Sequence, residues 1–351
     1  MSYAGIARDS RERQDALHIA ATSFRSATCS HDVSIARKAF LLEQHPGYSN
    51  ESAIVVCSDV GSVIASAFLI DCMLPLGSKK LQGVFVSSIS VAESSRGNGV
   101  SRLLMDAAIN AAKGRCADLA IVIARRAVDY FYNRFGFWGV SQYSRVTLRV
   151  PERLMNVTAK QLATRPTAEP DLAACAELYA DSYKGLLGHC ERPPELWEYI
   201  LQKSSYLGLR FDVMTFVDEI VGYAFHDGVG NFHELTIGAE TTSSDAFTFL
   251  TDCAPQSEFL TLHIPPTHPF LWRLHGQDVS LTIRECPYGG HMVRILNKKI
   301  SPALKNVRLG NGMFDFFQTH NALGISSVTD VGSNSGQVVR GSFNIPLMDQ
   351  I

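Results

Sequence analysis

The sequence has no C-x-x-C pair, no excess of either charge and no apolar run long enough to cross a bilayer, and each lack closes off a class of function. Eight cysteines (Cys29, Cys57, Cys72, Cys116, Cys175, Cys190, Cys253 and Cys286) are dispersed, some within apolar runs such as Ala53-Ile54-Val55-Val56-Cys57. They read as reduced core thiols rather than disulfides or a zinc site. Lys and Arg total 32 against 34 Asp and Glu, so no field recruits nucleic acid or an anionic membrane. Met1 to Asp9 turns polar too soon to hold a signal-peptide core, and the expectation is a cytoplasmic protein. Of the histidines, His226, His233, His263 and His268 cluster loosely, but without zinc spacing. His233 and Glu234, neighbours in a strand, would point to opposite faces. No metal is expected.

What is present is enough apolar residue, 46% of 351, to pack two domains. Periodicity predicts a helix over Asp32 to Gln44 and then a hairpin, Ala53 to Ser58 and Ser62 to Met73, turned by Asp59-Val60-Gly61. A strand over Gly83 to Val91 leads into Ser94-Ser95-Arg96-Gly97-Asn98-Gly99-Val100-Ser101. Leu103, Leu104, Ala107, Ala108, Ala111 and Ala112 then recur at helical spacing, and Lys113-Gly114 ends the helix. Leu119 to Ala124 reads as a buried strand, Tyr130 to Phe135 as a short helix, and Val140 to Val150 as the strand closing the first half. Pro151, Pro166 and Pro170 bracket an expected linker.

The second half repeats this opening. Helices are expected over Asp171 to Tyr183 and Pro194 to Lys203. A hairpin aligns Met214-Thr215-Phe216 through Gly222-Tyr223-Ala224 with Val55-Val56-Cys57 through Ile64-Ala65. Strands Asn231 to Ile237 and Phe259 to Ile264, helices near Asp245 to Cys253 and His268 to His275, and a last strand near Met292 to Leu296 complete it. The expected plan is therefore a catalytic domain over 1–150, a linker over 151–166, a second domain over 167–298 and a loosely structured tail over 299–351.

Chemistry concentrates in Arg96-Gly97-Asn98-Gly99-Val100. Set between a strand and a strong helix, it would offer a diphosphate several unpaired backbone N–H groups and the positive end of a helix dipole. Gly97 and Gly99 allow main-chain conformations closed to other residues, and Arg96 adds a charge. By itself a glycine pair in such a turn is better explained by a structural tight turn.

The order Ile89-Ser90-Val91, Arg96-x-x-Gly99-x-Ser101, amphipathic helix, buried strand and Phe131-Tyr132-Asn133-Arg134-Phe135-Gly136-Phe137 resembles the GNAT acetyltransferase family over roughly residues 30–150. Ser101 departs from the family's final Gly or Ala. The resemblance implies a mixed α/β fold with splayed central strands, and acetyl-CoA as co-substrate. Its diphosphate would lie on Arg96, Gly97, Asn98, Gly99, Val100 and Ser101, and its pantetheine arm along Ile89, Ser90 and Val91. It also implies an oxyanion-stabilising N–H near Ile89 and direct attack by an amine acceptor, a small molecule or peptide, with Tyr132 protonating the leaving thiolate. For Tyr132, packing among Phe131 and Phe135 competes with that role, and Glu43, His45, Asp71 and Asp129 are unranked candidates for the general base. The arrangement resembles tandem GNAT proteins, including the enhanced-intracellular-survival type. Ala239-Glu240-Thr241-Thr242-Ser243-Ser244-Asp245 lacks arginine and paired glycines, so the second domain is read as degenerate and without CoA. Rival readings are a non-catalytic acyl-CoA sensor or scaffold, and a hydrophobic-ligand carrier using Phe247, Phe249, Leu250, Phe314, Phe316 and Phe317. Homo-oligomerisation is left open.

Overall fold

The computed structural model describes residues 3–24, 30–76, 79–124, 129–139, 144–149, 162–183, 188–264, 268–274, 279–285, 290–300 and 348. It divides into two compact units, 1–141 with 288–339 and 351, and 142–287 with 340–350.

The first unit is built on β1 (Tyr3–Ile6), β2 (Ala53–Cys57), β3 (Val63–Leu76), β4 (Lys79–Val91), β5 (Leu119–Ala124), β6 (Trp138–Gly139) and β14 (Gly290–Ile295), in the sheet order β1-β2-β3-β4-β5-β14-β6. Only the β4–β5 step is parallel. Alternation along the strands sends two sets of side chains to opposite faces. Ile54, Val56, Ala65, Ala67, Leu69, Val84 and Val86 share a core with Val100, Leu104, Met105, Ala108 and Ala112 of α3 (Val100–Gly114). On the other face, the Ser66 hydroxyl donates to the Ala16 carbonyl of α1 (Ser10–Ser23), whose Ala16, Leu17, Ala20 and Ala21 are buried. A second helix, α2 (His31–Glu43), is tied to α1 by the Ser34 hydroxyl on the Ala21 carbonyl. A short helix, α4 (Asp129–Asn133), follows β5.

The second unit has β7 (Ser144–Arg149), β8 (Leu162–Pro166), β9 (Arg210–Phe216), β10 (Glu219–His226), β11 (Asn231–Ile237), β12 (Phe259–Leu262) and β13 (Ser280–Glu285), in the order β13-β7-β12-β11-β10-β9-β8. Its helices are α5 (Leu172–Tyr183), α6 (Pro194–Tyr206), α7 (Ser243–Cys253) and α8 (Pro269–Arg273). From β8 to β12 its strands run in the same order as β1 to β5, again with one parallel step between the fourth and fifth. The duplication expected from the two hairpins is thus present in the topology.

Two strands pair elsewhere than expected. Residues 144–149, expected to close the first half, pair with β12 and β13: Leu148 faces Leu260 on one side and Leu281 on the other. Residues 290–295, expected to complete the second half, run between β5 and β6 of the first sheet. Each sheet therefore takes its sixth strand from outside the run that supplies the others. Both are short strands with similar apolar content, and partner choice depends on the sheet edge they meet rather than on their own residues. Part of the expected linker, Leu162–Pro166, is strand β8, paired along its length with β9. The remainder of the linker, 151–161, and nearly all of the tail lie outside the described residues. Within that tail region, the buried Met348 accepts a hydrogen bond at its carbonyl from Lys203 at 2.8 Å. The sequence reading also missed β1 and α1. The first is a four-residue edge strand, and the second buries mostly alanine, which leaves a weak periodic signal.

Candidate cofactor and catalytic site

β4 and β5 are paired only where Gly83, Val84 and Phe85 face Leu119, Ala120 and Ile121. Beyond that point β4 runs on to Val91 against β3, while β5 runs on to Ala124 against β14. The two central strands are therefore splayed, and their facing backbone edges can accept an extended polar chain. Ile89 and Val91 are half-buried and Ser90 is buried, all three on the β4 arm of this gap.

The β4 arm carries a bulge. Ser90 faces Ser66 and Ser87 faces Phe68, so Ser88 and Ile89 together oppose Ala67. Ser88 has φ +53°, an uncommon conformation for a residue with a Cβ. Its carbonyl accepts from the Ser90 hydroxyl and its own hydroxyl from Lys38 Nζ, each at 3.0 Å. No motif marks this bulge in the sequence; the only signal is the serine-rich run Ser87-Ser88-Ile89-Ser90 after the apolar Val84-Phe85-Val86.

After β4, a single 3-10 turn over Glu93–Ser95 delivers the glycine loop to α3. Gly97 and Gly99 have φ +83° and +75°, and a Cβ built on either would meet no atom within 4 Å. Gly99 is the N-cap of α3 and brings no side chain to the helix end. Its carbonyl accepts from Arg102 N–H at 3.0 Å, whereas among the described residues no hydrogen bond engages the N–H groups of Gly97, Asn98, Gly99, Val100 or Ser101. Val100 is buried in the α3 core and Ser101 is half-buried; Arg96, Gly97, Asn98 and Gly99 are exposed. Arg96 folds back so that Nε donates to the Val91 carbonyl at 3.2 Å, which ties the loop to the end of β4. The loop is an open cradle of unsatisfied donors at a helix N-terminus, with the chemistry for a diphosphate.

Tyr132 lies on α4 within the same core as Val100 and Leu104, at 9% exposure. Its ring meets Phe131 and Phe137 edge-on, with centroids 5.2 and 6.3 Å away. Tyr130, by contrast, is exposed beneath the Arg134 guanidinium. The loop after α4 turns at Gly136, φ +72°, and Arg294 of β14 donates to the Phe135 carbonyl at 2.6 Å. Of the base candidates, Asp71 is paired with Arg115 at 3.0 Å, His45 Nδ1 accepts from Gly47 N–H at 2.9 Å, and Glu43 is exposed. The Asp129 side chain lies outside the described residues.

The corresponding place in the second unit has different chemistry. Thr242 caps α7 and forms a reciprocal capping box with Asp245, so the helix end is closed by its own side chains. Arg273 donates to the Gly238 and Thr241 carbonyls at 2.6 and 2.9 Å, fastening the loop. Beside β11, Arg192 and Glu234 form a two-pronged ion pair at 2.8 and 2.7 Å, both side chains at 0% exposure. The Tyr223 hydroxyl donates to Glu234 at 2.7 Å, and burial holds that phenol protonated. Asp212, His226 and Cys253 also converge within 4.8 Å. Here His226 Nδ1 accepts from Gly228 N–H, which leaves the proton on Nε2 for Asp212 at 2.8 Å. Burial keeps the Cys253 thiol protonated, so the trio is a hydrogen-bonded His226–Asp212 pair beside a buried neutral thiol.

The first unit thus combines a splayed strand pair with a bulge on one arm and an uncapped glycine loop at the head of the next helix. Residues 9–141 match the family model for the acetyltransferase (GNAT) domain. A sequence search of curated proteins gave no match. Among solved structures, a GCN5-related N-acetyltransferase from Kribbella flavida is similar with a TM-score of 0.64 at 17% identity, over 86% of this chain and 72% of that one. One from Anabaena variabilis gives 0.63 at 14%, over 85% and 73%. Eis1 from Mycobacterium abscessus gives 0.60 at 15%, over 86% and 76%. At these identities the likeness carries the fold, and its coverage extends over both units: the chain has a tandem GNAT fold.

Proposed function

We propose that the chain is an acetyl-CoA-dependent N-acetyltransferase whose working site lies in the first unit. Acyl transfer is the chemistry of its family. The observation that carries the finer reading is the Gly97–Ser101 cradle, with its donors unengaged, at the end of a strand that has parted from its parallel neighbour. The diphosphate would rest on N–H groups of Gly97, Asn98, Gly99, Val100 and Ser101, with Arg96 adding charge, and the pantetheine arm would follow Ile89, Ser90 and Val91 along the open edge of β4. A bulge N–H near Ile89 would polarise the thioester carbonyl as a neutral amine, on a small molecule or a peptide, attacks it directly. Tyr132 would give a proton to the departing thiolate. The second unit, with its capped helix and filled interior, would shape the protein without binding CoA.

Among the described residues no helix is long and apolar enough to cross a membrane, and the six described cysteines are thiols. Both fit work in the cytoplasm. The test is calorimetric titration with acetyl-CoA, followed by thiol release in the presence of a panel of amines. Binding lost in Gly99→Val, together with amine-dependent release by the native chain, is the expected result. Binding without release by any amine would turn the reading to an acyl-CoA sensor, and normal binding by Gly99→Val would remove the cradle from the site.

A further inference from the structure

We propose that Lys38 is a positioning residue for acyl transfer: from α2 it clamps Ser88 and thereby holds the β4 bulge in the geometry that aims the neighbouring N–H into the strand gap. The inference rests on the transferase reading above and adds a residue to it.

A positive φ at a residue with a Cβ costs on the order of 1 kcal/mol and persists only where the surroundings over-determine it. At Ser88 the surroundings are specific. Its carbonyl is held by the Ser90 hydroxyl at 3.0 Å, its hydroxyl by Lys38 Nζ at 3.0 Å, and the Ser87 hydroxyl lies 3.3 Å from its own. Ser87, Ser88 and Ser90 are all buried, so this is an interior polar knot directly after the apolar stretch Val84-Phe85-Val86. Lys38 reaches it from the face opposite α3, passing over the Phe24 ring with Nζ 5.2 Å from the centroid. Ordering a lysine side chain and bringing its ammonium to a buried hydroxyl is unfavourable unless the contact does something a water could not.

The second unit supplies a comparison. β11 has an irregularity at the matching place, where His233 is the extra residue between Phe232 and Glu234. There too a cation reaches the strand, but Arg192 meets the Glu234 carboxylate in a closed, fully buried pair. In the first unit the cation instead meets a neutral hydroxyl on the strained residue itself. The closed pair is satisfied within itself, whereas the Lys38 ammonium holds the residue whose backbone is strained. The Lys38–Ser88 contact therefore acts through the bulge, by fixing its backbone.

Four variants test this: Lys38→Met, Lys38→Arg, Ser88→Ala and the double Lys38→Met/Ser88→Ala. Two readouts are taken, steady-state kinetics with acetyl-CoA and a reactive amine, and hydrogen exchange of peptides covering residues 86–91 in unliganded protein. Loss of a charge-assisted hydrogen bond should lower kcat about tenfold or more in Lys38→Met and in Ser88→Ala. The KM for acetyl-CoA and the calorimetric affinity for CoA should stay within about twofold of native, and the double variant should be no worse than either single one. Exchange across 86–91 should speed up in both single variants, and Lys38→Arg should recover part of kcat. Turnover within about twofold of native in Lys38→Met, additive losses in the double variant, or unchanged exchange at 86–91 would each overturn the clamp. Failure of the native chain to bind CoA would instead overturn the transferase reading, and exchange at 86–91 would then decide the clamp alone.

Discussion

At the scale of single residues, the two tyrosines of α4 separate the chemical role from the packing role. Tyr132 is buried with its ring against Phe131 and Phe137, while Tyr130, two positions earlier, is exposed. Tyr132→Phe retains the ring contacts with Phe131 and Phe137 and removes only the hydroxyl, and a Tm measured alongside separates lost chemistry from lost stability. If the phenol gives its proton to the leaving thiolate, kcat should fall about 100-fold, as for loss of a general acid, with acetyl-CoA affinity preserved. Tyr130→Phe should be silent in the same steady-state assay. Equal turnover by Tyr132→Phe and the native chain would reduce Tyr132 to a core aromatic. The sequence made this residue and the loop glycines legible because motif spacing and positive-φ geometry leave marks in residue type. Ser88 and Lys38 left none, because a bulge is a property of two strands in register and the partner helix lies 50 residues away.

At the scale of elements, the two helix starts that follow β4 and β11 show how the same topology is opened in one unit and closed in the other. Gly99 leaves the head of α3 uncapped, whereas Thr242 and Asp245 satisfy the head of α7 from within. This contrast could be read in advance from Arg96-Gly97-Asn98-Gly99 against Thr241-Thr242-Ser243-Ser244-Asp245, since capping is local. The interior that fills the second unit could not be. Arg192, Tyr223 and Glu234 come from a loop and two strands and meet only when folded, the guanidinium lying over the Tyr179 ring at 3.9 Å. Removing one partner of a buried ion pair strands the other charge in the core. Arg192→Leu should therefore destabilise the second unit by about 3–5 kcal/mol, measured as a lowered urea midpoint. Replacing Glu234 in the same background, as Arg192→Leu/Glu234→Leu, should recover much of the loss. A midpoint unmoved by Arg192→Leu would mean that water reaches Glu234.

At the scale of the whole molecule, stability should fall with acid because the fold holds buried histidines neutral. Burial lowers His263 from 6.5 to about 4, and His268 and His291 from 6.5 to about 3, so the folded chain keeps all three neutral where the unfolded chain protonates them. Their contribution is complete above pH 6.5 and is lost as pH falls towards 4, at up to about 1.4 kcal/mol per histidine per pH unit. The Tm should accordingly be level from pH 8 to 7 and drop steadily below 6; a level Tm down to pH 4.5 would show those rings to be hydrated. The strand exchange makes the sharper forecast. Periodicity predicted that strands exist near 144–149 and 290–295 but not which sheet each joins, because edge pairing is decided by non-local partners. β14 stands between β5 and β6, and its Arg294 holds the Phe135 carbonyl in the loop just after Tyr132. Ending the chain at Pro287 would leave β5 with an unpaired edge and that loop without its anchor, although every expected site residue from Ile89 to Tyr132 would still be present. Such a chain should be recovered mainly as aggregate, or should bind acetyl-CoA far more weakly than the native one. Arg294→Met, which keeps the strand, should lower kcat with little change in Tm. A truncated chain that is soluble and fully active would mean that β14 is dispensable to the first sheet.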